Sequence, residues 1–433
     1  MSQQHMLEKI SKEVVKCSRC GNCRSICPVF LEENNENTTP RSKARMMEAV
    51  REGELELTPA MQERFDKCLL CKACTVNCGS GVRTDTLILE ARAVLAEKHG
   101  IPLLKKMAFT GLRYRKLFDL FLRSGSLFQG LVFKKLPNGR GRMARFPLPG
   151  AGLSVHRVIP NLSSRPLRSR VDSVIKAKTP TSKGRVVFFT GCTLNYIYPS
   201  AGEAVVNILI HNGWDVIIPE RQCCCGTPAL VTGDLDSARL LARHNVKVLT
   251  QAGGDHIITA CGTCGAALQQ EYAMLLEGDS SLEQWRKISK KVLDISQFVV
   301  EHCDLSQLGK LPFKVTYHDP CHLVRGMNVS AEPRKILQTI PGMQYVEMKH
   351  ADRCCGAGGS FSAAYYELSR KINDKKIDHA EATGMEYLVT GCSSCRMHIT
   401  DGLSQRSSTM KVLHTAEVID MAYAAGRKER GTC

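Results

Sequence analysis

Residues 221–230 read RQCCCGTPAL, and residues 353–359 answer them with RCCGAGG. Three consecutive cysteines before a glycine are a poor packing solution, because a core takes one small thiol at a time and adjacent thiols strain the backbone when bridged. The surroundings of the two stretches match. The first set holds Cys192, then Cys224 and Cys225 before Gly226, then Cys261 and Cys264. The second holds Cys321, then Cys354 and Cys355 before Gly356, then Cys392 and Cys395. The gaps between cysteines are 31, 35 and 2 residues in the first set and 32, 36 and 2 in the second. This register pairs Cys224 with Cys354 and Cys225 with Cys355, and it leaves Cys223 as an extra.

Both sets are embedded in alternating strand and helix patterns. The first half runs from strand-like GRVVFFTGC through helical SAGEAVVNILIHNG to the strand WDVIIP, then helical DLDSARLLARHNVKVLTQAGG and strand HIITACGTCG. The second half runs KVTYHDPCH, AEPRKILQTIPG, QYVEMKHADRCCGAGG, AAYYELSRKINDKKIDHAEATG and EYLVTGCSSC. Such alternation predicts parallel α/β layers. A period of about 125 residues indicates a duplicated domain, not a solenoid, with copies over 184–310 and 311–433. Each cysteine group precedes a helix, which predicts a position at the carboxyl edge of an open sheet, where ligands bind and helix N-termini favour anions. Five thiolates per copy exceed the four that a cubane or a zinc ion needs. Neighbouring thiolates that bridge or share irons account for the excess. Zinc at one copy stays open, because a four-cysteine subset satisfies it.

The first 100 residues carry a different arrangement. Cys17, Cys20, Cys23 and Cys27 form C-x2-C-x2-C-x3-C-P, and Cys68, Cys71, Cys74 and Cys78 repeat the spacing with Gly79 in place of the proline. This is the spacing of two-cluster ferredoxins, in which the fourth cysteine of each run ligates the other cluster. One cubane [4Fe–4S] cluster is therefore assigned to Cys17, Cys20, Cys23 and Cys78, and the second to Cys68, Cys71, Cys74 and Cys27. The 40 residues between Cys27 and Cys68, with RSKARMMEAVREGEL and DTLILEARAVLAEKHG as helical patterns, predict a helical version of the domain. The expected fold is α+β and multidomain: an α-helical ferredoxin domain over 1–100, then the duplicated α/β pair.

Composition fits this reading. The chain has 433 residues, of which 21 are cysteine. Its N-terminus is polar and no apolar run approaches the roughly 18–20 residues of a spanning helix, so a cytoplasmic setting is expected, where thiols ligate metal and do not pair. The formal net charge of +17 is confined to one segment. Residues 101–185 hold 19 Lys and Arg against two acids, Asp119 and Asp172. Residues 101–183 are expected to form a linker with one helical stretch, in which Leu117, Leu120, Phe121 and Phe128 recur at helical spacing among basic residues. Such a helix over 101–146 suits an anionic membrane surface, the ferredoxin domain as a packing partner, or an acidic subunit. No motif supports nucleic-acid binding.

The twofold C-x31–32-CCG-x34–35-C-x2-C pattern resembles the cysteine-rich CCG domain of heterodisulfide reductases and their relatives. That resemblance implies a non-cubane [4Fe–4S] cluster on each five-cysteine set. Two ferredoxin clusters followed by two CCG copies resemble three groups. These are the iron–sulfur subunit of glycolate oxidase or D-lactate dehydrogenase, that of anaerobic glycerol-3-phosphate dehydrogenase, and the fused heterodisulfide reductase subunit. CLLCKACTVNCGSGVR, YHDPCHL and PRSKARMMEAVREGEL are most similar to the glycolate/lactate branch. Many members of that branch lack some CCG cysteines, whereas both sets are complete here.

No acid/base pair, Ser-His-Asp set or dinucleotide fingerprint stands out, so no catalytic residue is assigned. The resemblance implies an electron-transfer subunit of a membrane-associated 2-hydroxyacid dehydrogenase. Its partners would be an FAD-containing subunit and a quinone or another carrier. Two other readings are a subunit that itself reduces a disulfide at a CCG cluster and a zinc-stabilised assembly scaffold. His318 and His322 flank Cys321; they are read as loop histidines or as hydrogen-bond partners of sulfur, and a ligand role is not expected. Cys303 and Cys433 have no repeat partner and are taken as incidental.

Overall fold

The computed structural model describes residues 3–136, 141–146 and 157–431. The N-terminal part is helical, with Gln3–Val14, Pro40–Arg51, Pro59–Asp66 and Thr84–His99 as its main elements. Two of these helices start alike. Thr39 and Thr58 cap the amides of Ser42 and Met61, and the following proline supplies a preset first turn. Thr84–His99 is the central helix, with Leu87, Ile88, Ala91, Val94 and Leu95 all in the core. Arg92 on that helix is buried, and its guanidinium donates to the carbonyls of Phe65, Asp66, Cys68 and Val231. Four carbonyl partners offset the desolvation of the buried charge, and they tie the helix to the Cys68 loop and to the first CCG copy together.

The two CCG copies form separate sheets. The first has the strand order Val174–Ile175, Trp214–Ile217, Gly184–Phe188, His256–Thr259, Val292–Asp294, parallel except for its first strand. The second is wholly parallel, in the order Gln344–Tyr345, Lys314–His318, Tyr387–Thr390, Lys411–His414. Helices Pro199–His211 and Thr415–Glu429 pack on each other, and Asn207 donates to Asp420 across them at 3.1 Å. Val186, Phe188 and Val216 of the first sheet share one core with Val315, Tyr317 and Val389 of the second. The copies are therefore fused through a common apolar interior.

The basic segment differs from the expectation of one helical stretch. It forms two helices, Leu103–Arg113 and Arg115–Val132, broken at Tyr114, whose ψ of 75° leaves the helical range. A small antiparallel sheet of Phe133–Lys135, Arg142–Ala144 and Val158–Ile159 follows. The segment packs on more than one neighbour: its first helix lies against Leu235–Ala252 and adds Phe109 to the core that holds Phe65 and Leu95, Phe118 meets Tyr196 edge-on at 5.6 Å, and Val158 N–H donates to Asp401 of the second CCG copy. Further along, Val174–Ile175 joins the first sheet as an antiparallel edge. Residues 137–140 and 147–156 and the side chain of Leu117 lie outside the described residues. Among the described residues, no helix is long and apolar enough to cross a membrane.

Candidate metal centre

The two N-terminal cysteine loops share an uncommon backbone. Arg19 and Gly21 have positive φ, and so do Leu70 and Lys72, each two and four residues after the first cysteine of its run. Three of these carry side chains that disfavour the left-handed region by roughly 1–2 kcal/mol each. The loop recovers this by turning amides inward: Leu70 N–H points at Cys68 Sγ, 3.5 Å away, and Val82 N–H at Cys78 Sγ, 3.4 Å away. Gly21 also leaves room for Arg41, whose Nη1 lies 3.0 Å from where a Cβ would stand.

These loops line two neighbouring cavities. One is walled by Cys27, Cys68, Cys71 and Cys74, the other by Cys17, Cys20, Cys23 and Cys78, with Cys74 also at its edge. A cation attends each. Arg41 lines the second, and the buried Lys43 lines the first with its Nζ 3.1 Å from the Lys67 carbonyl. Burial pushes the Lys43 ammonium below its usual range, and the thiols of Cys68 and Cys27 oppose that fall.

The CCG cysteines emerge at strand ends. Thr259 is followed by Cys261, Thr390 by Cys392, and these two cysteines cap the helices that begin at Gly262 and Ser393. Gly226 and Gly356 both take φ of 89°, which turns the chain directly after each cysteine pair. The two copies are polarised alike. Thiol hydrogen bonds from Cys224 and Cys264 hold Cys225 well below the usual thiol range, and Cys354 and Cys395 do the same for Cys355. Cys192 bonds to Cys224 in the first copy, as Cys321 does to Cys354 in the second. Cys223 faces another way: its amide and thiol both meet Asn245 Oδ1, at 3.0 and 3.3 Å.

Contacts also run between the sites. Cys261 and Cys392 are hydrogen-bonded across the two copies, and Thr263 Oγ1 lies 3.8 Å from Cys392 Sγ. Cys71 and Cys354 join the ferredoxin part to the second copy. A hydrogen bond from Cys354, helped by the Arg325 guanidinium, holds the Cys71 thiol down to about 6 against its burial. Arg325 spans this junction, donating to Cys71 O at 3.2 Å and to Asp352.

Several supporting residues do not stand out in the sequence. Asn245 and Asn373 lie inside helices, yet their amides donate to the carbonyls of Cys224 and Cys355, each at 2.8 Å. Tyr272 donates to Cys225 O and Ser369 to Gly356 O. Lys376 is buried beside the second set, donates to the carbonyls of His350 and Ala351, and has its pKa brought down by burial to about 8. A buried asparagine at the same stage of both copies is the one sequence signal that could have found the first pair. Cys303 sits at the edge of the shared core, away from the sets, and Cys433 lies outside the described residues.

This donor chemistry fits iron–sulfur clusters. All twenty described cysteines are free thiols, the cavities are ringed by sulfur, and amides and cations converge on them as anionic clusters require. Comparison with known proteins agrees. A cysteine-rich domain (CCG) matches residues 186–269 and again 315–400, and a 4Fe-4S dicluster domain matches 13–82. The "Probable glycolate oxidase iron-sulfur subunit" of Bacillus subtilis is 32% identical over 436 residues, covering 96% of this chain and 95% of that one.

The chain belongs to the glycolate oxidase iron–sulfur subunit family.

Two further relatives cover less of it. A fumarate reductase (CoM/CoB) subunit of Methanothermobacter marburgensis is 37% identical over 64% of this chain, which spans only 55% of that protein. "Lactate utilization protein A" of a Geobacillus species is 33% identical over 54% of this chain and 99% of its own. A crystal structure of a hypothetical protein from Helicobacter pylori shares the fold, with a TM-score of 0.52 over 98% of this chain and 77% of that one, at 10% identity. As a member of the glycolate oxidase subunit family, the chain is an iron–sulfur oxidoreductase subunit that binds [4Fe–4S] clusters.

Proposed function

We propose that this chain is the electron-transfer subunit of a membrane-associated, FAD-dependent 2-hydroxyacid dehydrogenase acting on glycolate or D-lactate. The observation that carries the reading is the unbroken adjacency of the cysteine sets. Cys17, Cys20, Cys23 and Cys78 would hold one cubane, and Cys27, Cys68, Cys71 and Cys74 the other. The two CCG sets would hold non-cubane [4Fe–4S] clusters. Clusters at these sites supply one-electron storage and relay. The residues set the order: the first cubane site adjoins the second through Cys74, the second adjoins the C-terminal CCG site through Cys71 and Cys354, and that site adjoins the other through Cys392 and Cys261.

The residues themselves hold and tune. Lys43 and Arg41 offset anionic charge at the cubane sites, Lys376 and Arg325 do so at the C-terminal CCG site, and the buried copies keep water from the sulfurs. The donor of electrons would be a separate flavoprotein and the acceptor a quinone or another carrier. Docking would use the basic segment on the cytoplasmic face of a membrane. Leu120, Phe121, Leu127, Phe128 and Leu131 of the helix Arg115–Val132 are 62–75% exposed, in a segment whose charge is almost wholly positive. An exposed apolar face in a segment of this charge suits an anionic lipid surface.

Iron and sulfide analysis of anaerobically purified chain tests the foundation, since two cubanes alone bring about eight irons and fewer than about four refutes the redox reading. Copurification of an FAD protein tests the partner. A second reading has its own observation. A cleft that opens onto Cys71 and Cys354 is lined by Arg325, Arg353, Lys375 and Lys376 against two acids, Glu32 and Asp352, which pair with Lys375 and Arg325; its remaining positive charge suits reduction of an anionic disulfide at the CCG site. Disulfide reduction by the isolated chain, without any flavoprotein, would favour it over the first.

A further inference from the structure

The two CCG sites are built on the same register but differ at one buried position. Three residues before Cys321, at the end of its strand, stands His318; three residues before Cys192 stands Phe189. Both are almost wholly buried. Phenylalanine offers a metal nothing, whereas His318 is arranged as ligating histidines are. Its Nδ1 lies 3.2 Å from the Ala351 carbonyl, an atom that only accepts, so Nδ1 carries the proton and Nε2 presents its lone pair. That Nε2 is buried, meets no oxygen or nitrogen partner among the described residues, and faces the Cys355 thiol, which His318 helps to hold low. It is grouped with Cys355 Sγ and Cys395 Sγ, all three atoms lying within 4.8 Å of one another. Among the described residues this is the one trio of histidine, cysteine or acidic ligand atoms so closely gathered.

We propose that His318 Nε2 is a metal ligand of the C-terminal CCG site, so that this site binds through sulfur and one imidazole while the other binds through sulfur only. The inference rests on the reading that the CCG sites hold metal. A buried nitrogen lone pair met only by thiol sulfur leaves much of a desolvation cost of about 1–3 kcal/mol uncompensated, and since atoms bound to one ion at about 2.0–2.1 Å for nitrogen and about 2.3 Å for sulfur stand no more than about 4.6 Å apart, an inward shift of about 1 Å or less gathers the trio. The fixed Nδ1–H···O=C bond is the usual support that orients a ligating imidazole. The chemical consequence is directional. With all five cysteines present, the imidazole takes the coordination position of one thiolate, and a cluster so ligated carries one negative charge less, which raises its reduction potential as histidine ligation does in Rieske centres. Lys376 and Arg325 beside the same site act in the same sense, and the all-sulfur site has Asn245, Tyr272 and Thr227 around it instead. The C-terminal CCG site is thereby set as the more oxidising of the pair.

Pulsed EPR of the full chain, purified anaerobically and poised at both limits of a redox titration, tests this with natural-abundance and 15N-histidine protein. The expected result is one histidine nitrogen coupling that changes with the isotope and disappears in His318→Phe, which copies the first CCG site, while His322→Phe keeps it. The cubane signals serve as the control for folding in each variant. A C-terminal CCG iron signal with no isotope-sensitive coupling overturns the ligation. A site that holds zinc, with one nitrogen in its X-ray absorption shell that is lost in His318→Phe, upholds the ligation and overturns the iron reading of that site. No metal of any kind at the site overturns both.

Discussion

Replacing Lys43 with methionine should lower the midpoint potential of the cluster held by Cys27, Cys68, Cys71 and Cys74 by about 100 mV. Lys43 lines that cavity, is buried, and spends only one donor on a fixed carbonyl, that of Lys67. Its remaining charge acts on whatever the four thiolates carry. At about 7 Å and an effective dielectric of about 20, one unit charge is worth about 2.4 kcal/mol. Spread over a one-electron couple, this is about 100 mV. Methionine keeps the length of the side chain and its apolar stem, so the packing among Met46, Met47 and Phe65 is left in place. The assay is an EPR-monitored redox titration of wild type, Lys43→Met and Lys43→Arg, with iron content measured on each. Lys43→Arg should stay close to wild type. A Lys43→Met protein with full iron and a shift below about 20 mV would refute the reasoning, because the buried charge would then be fully screened.

The other predictions concern separate parts of the chain. Cys224→Ala or Cys225→Ala should abolish the EPR signal of the first CCG site, while Cys223→Ala keeps it, since Cys223 turns towards Asn245; loss of signal in the Cys223 variant would mean the register is off by one. Gly191→Ala should reduce iron at the same site, as a Cβ there would stand 2.9 Å from Cys264 Sγ on a backbone with φ of 60°; unchanged iron content would show that the loop yields. Phe121→Glu combined with Phe128→Glu should cut sedimentation with phosphatidylserine vesicles at least tenfold and leave iron content as it was, and equal sedimentation would remove the membrane from the role of Arg115–Val132. Asn373→Leu should destabilise the C-terminal CCG copy by about 1–3 kcal/mol, the cost of an unmet buried carbonyl, read as an earlier loss of its cluster signal on warming.

The fold class is legible in the sequence because its signals are local and repeated. The strands before Cys192, Cys261, Cys321 and Cys392 are short apolar runs, and the long helices carry amphipathic patterns with marked ends such as Thr39-Pro40 and Gly100. Less legible are features set by tertiary contact. The basic segment reads as one helical stretch because Tyr114, where the helix breaks, has no breaker beside it. Val174–Ile175 is too short to register as a strand, and only pairing with Trp214–Ile217 makes it one. Around the cysteines, lysine reads as a surface residue, so nothing in the pattern marks Lys43 or Lys376, and asparagine reads as a poor helix former, so that only its recurrence in both copies points to Asn245 and Asn373. His318 reads as a loop histidine because periodicity carries no information on where a ring nitrogen points. Which cysteine set touches which is also beyond reach, since the chain order of the sets differs from their spatial order.

That difference in order bears on how the protein is made. Cys71 is synthesised well before its thiol neighbour Cys354 and before Arg325, which grips its carbonyl from 254 positions later. Leu69, beside it, finds its apolar partners in Phe361 and Ile372. The cysteine loops therefore emerge with an open flank that only residues from Arg325 to Ile372 close. Cells that load this protein with iron must either shield that flank throughout translation or defer loading until synthesis has ended.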